Sequence, residues 1–260
     1  MIHTFVINLA RDGERRTAIA AQLDALGVAH TFLQAVDGRA LPAAEQERAA
    51  PRRRQLYHRA LTANEIACGL SHLAAIAEGA RLDSDLFCVL EDDVIPAPQL
   101  PLCLAQDALA ALPEFDVLRL FTELDRWDKP SRIVGEVHGS IVVRMLRPGW
   151  GCQGQVYSRR GAAKILAAMT NLRAPFDYAL YHDCHVIGLK VLELRPGMVV
   201  RDLAKESSIG EGRLGAEEPK TARERLFRNV LRARRQFVAA VSFFRAWGAR
   251  EFLSFLPLWR

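Results

Sequence analysis

The chain has 260 residues, of which half are hydrophobic and a quarter are charged. This composition excludes wholesale disorder and suits one large α/β domain with a small appendage. The formal net charge of +5 favours an anionic partner, which leaves a nucleotide, a lipid surface and nucleic acid as candidates.

Cysteine usage and the apolar pattern indicate the compartment. The five cysteines are scattered and form no CxxC pair, which argues for a reducing compartment and against a disulfide framework or a structural zinc site. The first residues become charged too soon for a signal peptide, and no apolar stretch has the length needed to span a bilayer. We therefore expect a cytoplasmic protein, peripheral to the inner membrane surface at most.

Predicted strands and helices alternate up to about residue 204. Strands are predicted at residues 3–9, 30–36, 86–90, 115–121, 140–146, 190–195 and 197–202. Helices are predicted at residues 9–27, 65–82, 99–112, 161–169 and 175–189. Thr62 or Asn64 is expected to cap the second helix, and residues 39–61, with the basic run Arg52–Arg54, predict a polar excursion. The alternation implies an α/β fold around a mostly parallel central sheet.

Three consecutive carboxylates, Glu91, Asp92 and Asp93, follow the predicted strand LFCVL. Ligands bind at the carboxyl ends of strands in such sheets. Closely spaced carboxylates on rigid backbone can hold a hard divalent cation, and such an ion can neutralise a diphosphate. The alternative is an ordinary solvated strand end, and the triplet alone does not decide between the two.

Six segments in order raise the odds of a ligand site. They are VINLARDGERR, FLQAVDG, EIACGLSHLAAI, VLEDDV, GQVYSRRGAAKIL and a proline-flanked FD. Together, over residues 3–209, they resemble glycosyltransferase family 25. The resemblance implies a single GT-A-like nucleotide-sugar-binding domain at residues 1–209, followed by a tail at 210–260. It also implies transfer of a hexose, galactose or glucose, from a UDP-sugar with inversion.

The resemblance assigns roles around the acidic triplet. Asp93 is expected to bind Mn²⁺ or Mg²⁺ directly, Asp92 to lie towards the donor ribose, and Glu91 to act through metal-bound water. His182 or His185 is a candidate to complete the metal site, with a plain helix end as the alternative. Further residues are expected to surround the nucleotide: Asn8, Arg11, Arg15, Asp37, Gly38 and His72. A solvated helix face is the alternative for Arg15 or Arg16.

An inverting transfer also needs a base that removes the proton of the acceptor hydroxyl. Asp177 in APFDYAL is the first candidate, although an aspartate there could instead cap the following helix. Asp125 in TELDRWD is the second candidate. A glycine-rich run, Gly151 to Ala162, is expected to approach the sugar, unless it is only a turn into a helix.

The tail differs in character from the rest of the chain. Arg225, Arg228, Arg232 and Arg235 fall on one side of a helical wheel, with Phe237, Phe244 and other apolar residues broadly opposite. Such a basic amphipathic helix suits an anionic membrane surface and would suit an enzyme with a lipid-linked saccharide acceptor. The resemblance to family 25 implies an acceptor of the lipopolysaccharide or lipooligosaccharide kind. Packing on the catalytic domain or on a partner subunit is the alternative.

Two rival classes remain open from the sequence. The net charge, Arg52–Arg54 and the basic tail would suit a noncatalytic nucleic-acid-binding protein, but no familiar binding motif is present, so no nucleic acid is expected. A degenerate transferase that acts as a binding protein would keep the fold. The intact acids at 91–93 argue against it.

Overall fold

The computed structural model describes residues 1–54, 60–122, 131–145, 148–182 and 184–202, with individual residues between 229 and 249. The strands of this part are β1 (His3–Asn8), β2 (His30–Gln34), β3 (Leu86–Glu91), β4 (Val94–Pro96), β5 (Val117–Arg119), β6 (Ser131–Val137), β7 (Ser140–Met145), β8 (Gly154–Ser158), β9 (Val191–Arg195) and β10 (Val199–Arg201). The helices are α1 (Gly13–Ala25), α2 (Ala43–Ala49), α3 (Ala63–Ala80), α4 (Leu100–Cys103), α5 (Gln106–Ala110), α6 (Arg159–Ala168), α7 (Phe176–His182) and α8 (Cys184–Ile187).

The described strands build one eight-stranded sheet in the order β2-β1-β3-β8-β5-β9-β7-β6. Only β8 and β7 run against the other six, so the sheet is mixed but most strands share one direction. A small second sheet pairs β10 with β4 in antiparallel register, and Arg201 lies opposite Val94. The predicted α/β class with a mostly parallel central sheet is confirmed.

Strand alternation divides the apolar residues between the two faces of the sheet. Phe87 and Val89 belong to the hydrophobic cluster on the face of the sheet that α3 and α6 cover. Cys88 and Leu90 belong to the hydrophobic cluster on the opposite face. Glu91 continues the alternation of Phe87 and Val89. Its carboxylate therefore emerges on the α3 face of the sheet.

Helix α3 begins at a complete capping box, which satisfies free N–H groups of its first turn. Thr62 Oγ1 accepts from the Glu65 amide at 3.2 Å, and the Thr62 amide donates to Glu65 Oε2 at 2.9 Å. Of the two predicted caps, Thr62 is the one observed. The helix lies close over the sheet, because a Cβ on Gly79 would come within 2.2 Å of the Phe87 ring.

Several elements differ from the prediction. Strands β4, β6 and β8 were not predicted, and the helix predicted at 99–112 is divided into α4 and α5. The predicted excursion at 39–61 contains α2 and a 3₁₀ turn at Arg52–Arg54, where Arg54 donates to Asn171 Oδ1 at 2.9 Å. The prediction missed β8 because its glycine and its buried Gln155 interrupt the apolar pattern.

The described residues of the tail between 229 and 247 are helical, and two of them contact the domain. Phe243 is fully buried with its ring 5.0 Å from the His185 ring, and the Arg144 guanidinium lies 3.8 Å from the centre of the Trp247 ring. At these positions the structure supports the packing alternative. The predicted boundary at 209/210 and the basic face (Arg225, Arg228, Arg232 and Arg235) lie outside the described residues. In the described part, no helix has the length and apolarity to cross a bilayer.

Candidate functional site

The site lies where the parallel strands β1, β2 and β3 end at one edge of the sheet. Asn8 is the last residue of β1 and Glu91 the last of β3, while the amide of Ala35, just after β2, donates to the Asn8 carbonyl at 2.9 Å. Parallel strands bring their carboxyl ends together, so residues distant in the chain meet here.

Asp92 is held by two side chains from the first strand–helix unit. Asn8 Nδ2 donates to Asp92 Oδ2 at 2.7 Å, and an Arg15 guanidinium nitrogen donates to Asp92 Oδ1 at 3.3 Å. Burial nevertheless raises the pKa of Asp92 above its ordinary value, because it outweighs these two stabilising contacts. Asn8, Arg15 and Asp92, all predicted at the nucleotide site, therefore form one connected group.

Asp93 is the least compensated acid of the triplet. It is only 7% exposed, and no described residue donates a hydrogen bond to its buried Oδ1. Arg201 Nε lies 3.9 Å from Oδ2. Burial, followed by the charges of Glu91 and Asp92, raises the pKa of Asp93 to about 6. A buried carboxylate oxygen without a partner beside two further acids fits a hard divalent cation.

Glu91 meets α3 through His72. Glu91 Oε1 lies 3.1 Å from His72 Nε2, and the imidazole stacks on the Phe176 ring with centroids 4.9 Å apart. Burial lowers the pKa of His72, but the interactions with Cys68 and Glu91 outweigh it and raise the pKa to about 10. The contact with Glu91 thus favours the protonated form of His72.

The end of β2 supplies the other wall of the site. Arg11 pairs with Asp37, and this hydrogen bond lowers the pKa of Asp37. A Cβ on Gly38 would come within 2.7 Å of the Asn64 Cα, so a larger residue would push this turn away from α3. Ser71 Oγ accepts from the Val36 amide at 2.8 Å, which fixes the turn to the same helix.

Two adjoining cavities open at this edge. The first is lined by Arg11, Arg15, Gly38, Asn64 and Asp92, and the second by Gly151, Gln153, Phe176, Asp177 and Arg201. Both are also lined by Cys68, His72, Glu91 and Asp93, which stand at their junction. The acidic side chains Glu91 and Asp93 therefore lie where the two cavities meet.

Asp177 lies in the first turn of α7 and lines the second cavity. Its Oδ2 accepts from the Gly151 amide at 3.2 Å, and its Oδ1 accepts from the Tyr178 amide at 2.8 Å. The buried Arg119 donates to the Trp150 carbonyl at 2.7 Å, and this hydrogen bond fixes the loop that contains Gly151. Asp177 therefore lines the cavity, and it lies within the first turn of α7 rather than at the N-cap position of the alternative.

Three described candidates do not line either cavity: His182, His185 and Arg16. His182 stacks on Tyr178 with centroids 4.6 Å apart and is not among the described residues lining the two cavities, so the structure does not bring it to Asp93. His185 packs against Phe243. Arg16 lies 4.0 Å from the centre of the Phe32 ring, as a residue of the helix face. Asp125 lies outside the described residues.

Most of the glycine-rich run is structural. Gly151 has a φ of +94° and lines the second cavity, but Tyr157 is buried against Phe87 and Ser158 caps α6. A Cβ on Gly161 would lie 2.3 Å from the Asp116 carbonyl oxygen. The alternative of a turn into a helix therefore accounts for Tyr157, Ser158 and Gly161, whereas Cys152 and Gln153 line the second cavity together with Gly151.

Sequence reasoning missed two residues of the site, Cys68 and Arg201. Cys68 precedes His72 by four residues on a predicted helix, and this spacing places the two on one face, so the signal was present. Arg201 reaches Asp93 only because β10 pairs with β4. No local pattern indicates that pairing.

Comparisons with known proteins identify relatives of the chain. The family model described as glycosyltransferase family 25 (LPS biosynthesis protein) matches residues 1–180. A glycosyltransferase 25 family member of Drosophila pseudoobscura pseudoobscura is 29% identical over 178 residues, which is 64% of this chain and 27% of that protein. Procollagen galactosyltransferase 1 of Danio rerio is 28% identical over 172 residues, 63% of this chain and 28% of that protein. The chain thus spans less than a third of the length of these relatives.

Among solved structures, a Drosophila β-1,4-galactosyltransferase 7 mutant in complex with manganese, UDP-Gal and xylobiose is similar. It has a TM-score of 0.33 and 13% identity, over 87% of this chain and 79% of that chain. This likeness is too distant to transfer the role of any residue. The family model, in contrast, covers 180 of the 260 residues, and it shows that the chain belongs to glycosyltransferase family 25.

Proposed function

We propose that this chain is a metal-dependent hexosyltransferase with a GT-A-like nucleotide-sugar site. It transfers galactose or glucose from a UDP-sugar to a saccharide acceptor with inversion. Family membership supports the reaction class, and the two adjoining cavities suit a donor and an acceptor. The first cavity, with Arg11 and Arg15, would take the nucleotide, and the second, with Asp177, would take the acceptor.

One observation carries the proposal: the buried Asp93 Oδ1 has no described hydrogen-bond donor. A buried carboxylate left in this state is unfavourable unless a cation approaches it. Asp93 and Glu91 would hold Mn²⁺ or Mg²⁺, whose charge would stabilise the departing diphosphate. Asp92, fixed by Asn8 and Arg15, would accept hydrogen bonds from the ribose.

The chemistry of the chain's own residues follows from their positions. The acceptor hydroxyl oxygen forms a bond to the anomeric carbon, the bond from that carbon to UDP breaks, and the hydroxyl proton passes to a carboxylate. Asp177, oriented by the Gly151 and Tyr178 amides, is the proposed base. Arg201 lines the second cavity with its Nε 3.9 Å from Asp93 Oδ2, and from there it would meet negative charge on the leaving group. Asp125 remains the second candidate for the base.

The acceptor and the location are further parts of the proposal. We propose a lipid-linked or cell-surface saccharide, of the lipopolysaccharide or lipooligosaccharide kind, met at the inner membrane surface by a cytoplasmic enzyme. The basic composition of the tail and the exposed rings of Phe237 and Phe244 support a contact with anionic lipid. Sedimentation with anionic and neutral vesicles tests it, and equal binding to both would contradict it.

Calorimetry with UDP and Mn²⁺ tests the proposed site, and release of UDP from UDP-galactose and UDP-glucose tests the reaction. Asp93→Asn should abolish metal-dependent binding of UDP, because it removes the direct ligand. Asp107→Asn, an exposed acid on α5, is the matched control and should bind as the wild type does. Metal-independent binding, or binding unchanged in Asp93→Asn, would refute the assignment.

A further inference from the structure

The junction of the two cavities contains a group of side chains that the proposed reaction leaves without a complete role. Cys68, His72 and Glu91 each offer one ligand atom, and these atoms all lie within 4.8 Å of one another. Cys68 and His72 are four residues apart on α3, so they share a helix face, and Glu91 approaches that face from the end of β3. Secondary structure on both sides therefore fixes the three ligands.

The chemistry of this group differs from that of the acidic triplet. A thiolate and an imidazole are soft or intermediate ligands that prefer Zn²⁺ to Mn²⁺ or Mg²⁺, whereas Asp93 is a hard oxygen ligand. One sulfur, one nitrogen and one carboxylate oxygen leave a fourth tetrahedral position for water or a ligand. Cys68 is half-buried and lines both cavities, so an ion in solution can reach it.

A second observation points to the same place. His72 is 1% exposed, and its Nδ1 has no hydrogen-bond partner among the described residues, while Nε2 faces Glu91 at 3.1 Å. The stacked ring of Phe176 holds the imidazole plane. A buried imidazole nitrogen without a described partner is unfavourable, and an ion bound beside the thiol and the carboxylate would relieve it.

We propose that Cys68, His72 and Glu91 form a binding site for a thiophilic divalent ion such as Zn²⁺, which shares only Glu91 with the hard-cation site at Asp93. Coordination replaces the protons of the Cys68 thiol and the His72 imidazole, which pass to solvent, and changes no oxidation state. The bound ion stands at the junction of the cavities and uses Glu91. It therefore opposes binding of the Mn²⁺–donor complex, a consequence that rests on the proposed function, whereas the ion site itself does not.

Titration of the metal-free protein with Co²⁺ tests the site directly. A tetrahedral cobalt–thiolate centre absorbs through a charge-transfer band in the near ultraviolet and through d–d bands in the visible. One equivalent of Co²⁺ should produce both, and Zn²⁺ should remove them by displacement. Cys68→Ser should lose the charge-transfer band, whereas Cys152→Ser, which alters the buried thiol of the second cavity, should keep it. The absence of a band in the wild type, or a band that persists in Cys68→Ser, would overturn the proposal.

A second measurement separates this site from the proposed function. Calorimetry of UDP with Mn²⁺ should show binding at least tenfold weaker after one equivalent of Zn²⁺, and Cys68→Ser should remove that loss. Asp93→Asn should lose Mn²⁺–UDP binding and still give the cobalt band. If UDP does not bind at all, the proposed function fails while the cobalt spectrum still decides the ion site. Circular dichroism of each variant checks that it is folded.

Discussion

At the residue scale, the buried carboxyl of Asp93 couples the stability of the metal-free protein to pH. Its pKa is raised from 3.8 to about 6 by burial and by the neighbouring acids. The folded protein therefore holds this proton more tightly than the unfolded chain does. The resulting contribution to the free energy of unfolding is fully present below about pH 3.8, and it is lost as the pH rises through about 6. At neutral pH and without a bound cation, the ionised Asp93 therefore destabilises the folded protein.

Asp93→Asn should remove this pH dependence, because an amide remains neutral. Without metal at pH 7 or above, the variant should melt a few degrees higher than the wild type, and the difference should shrink towards pH 4. Added Mn²⁺ should raise the melting temperature of the wild type alone. Thermal melts across this pH range measure both effects, and a variant less stable than the metal-free wild type at pH 7 would contradict the assignment.

Arg201 should matter for affinity towards the diphosphate. Its guanidinium lines the second cavity beside Asp93, and a guanidinium can make two parallel hydrogen bonds to a phosphate, which an ammonium cannot. We expect Arg201→Ala to weaken Mn²⁺-dependent binding of UDP about tenfold or more, and Arg201→Lys to recover only part of the loss. Calorimetry measures it, with the exposed Arg173→Ala as the control. Full recovery by lysine would mean that only the charge matters.

How far the site was predictable differs from residue to residue. The position of the triplet at Glu91–Asp93 follows from the predicted strand order, because ligands bind where parallel strands end. Asn8 and Arg15 were predicted only through the resemblance to family 25. Arg201 was not predicted, because its approach depends on the pairing of β10 with β4 across a long stretch of chain. His182 was predicted because an imidazole can ligate manganese and because His182 and His185 are three residues apart, but neither argument specifies which helix face turns towards the site.

At the element scale, α3 carries Cys68, Ser71 and His72 to the site, and its start is set by local chemistry. Thr62 was one of the two caps predicted from the sequence, and the observed helix, Ala63–Ala80, lies within two residues of the prediction. Strand β8 shows the opposite case. Gln155 is fully buried on this strand, which pairs with β3 and β5. Its side chain forms hydrogen bonds with Gly151 and Tyr157, which offset the cost of burying an amide. The sequence around it has no apolar pattern that predicts a buried strand.

Thr62→Ala should destabilise the protein by about 1 kcal/mol, because it removes the side-chain acceptor of the capping box. Thr17→Ala is the matched control, since Thr17 lies inside α1 on an exposed face and its hydroxyl donates only to the Gly13 carbonyl among its described contacts. It should cause little or no loss. Chemical denaturation measures both, and Thr62→Ser should restore most of the stability. Equal losses in the two alanine variants would mean that the cap contributes nothing specific.

At the scale of the whole molecule, the question is whether the tail belongs to the domain. Phe243 is fully buried against His185, whereas its neighbour Phe244 is 46% exposed. Two adjacent phenylalanines in one helix thus have different surroundings, and the pair forms a matched test. If the tail packs as described, it joins the cooperative unit of the sheet and its helices.

Phe243→Ala should therefore lower the free energy of unfolding by about 3 kcal/mol, since it removes a fully buried ring and leaves a cavity. Phe244→Ala should cost far less in stability but should weaken sedimentation with anionic vesicles, because its ring is available to lipid. Denaturation and vesicle binding of the two variants separate packing from membrane contact. Equal losses of stability would mean that the tail has no fixed face towards the domain, and unchanged vesicle binding in Phe244→Ala would remove that ring from the membrane contact.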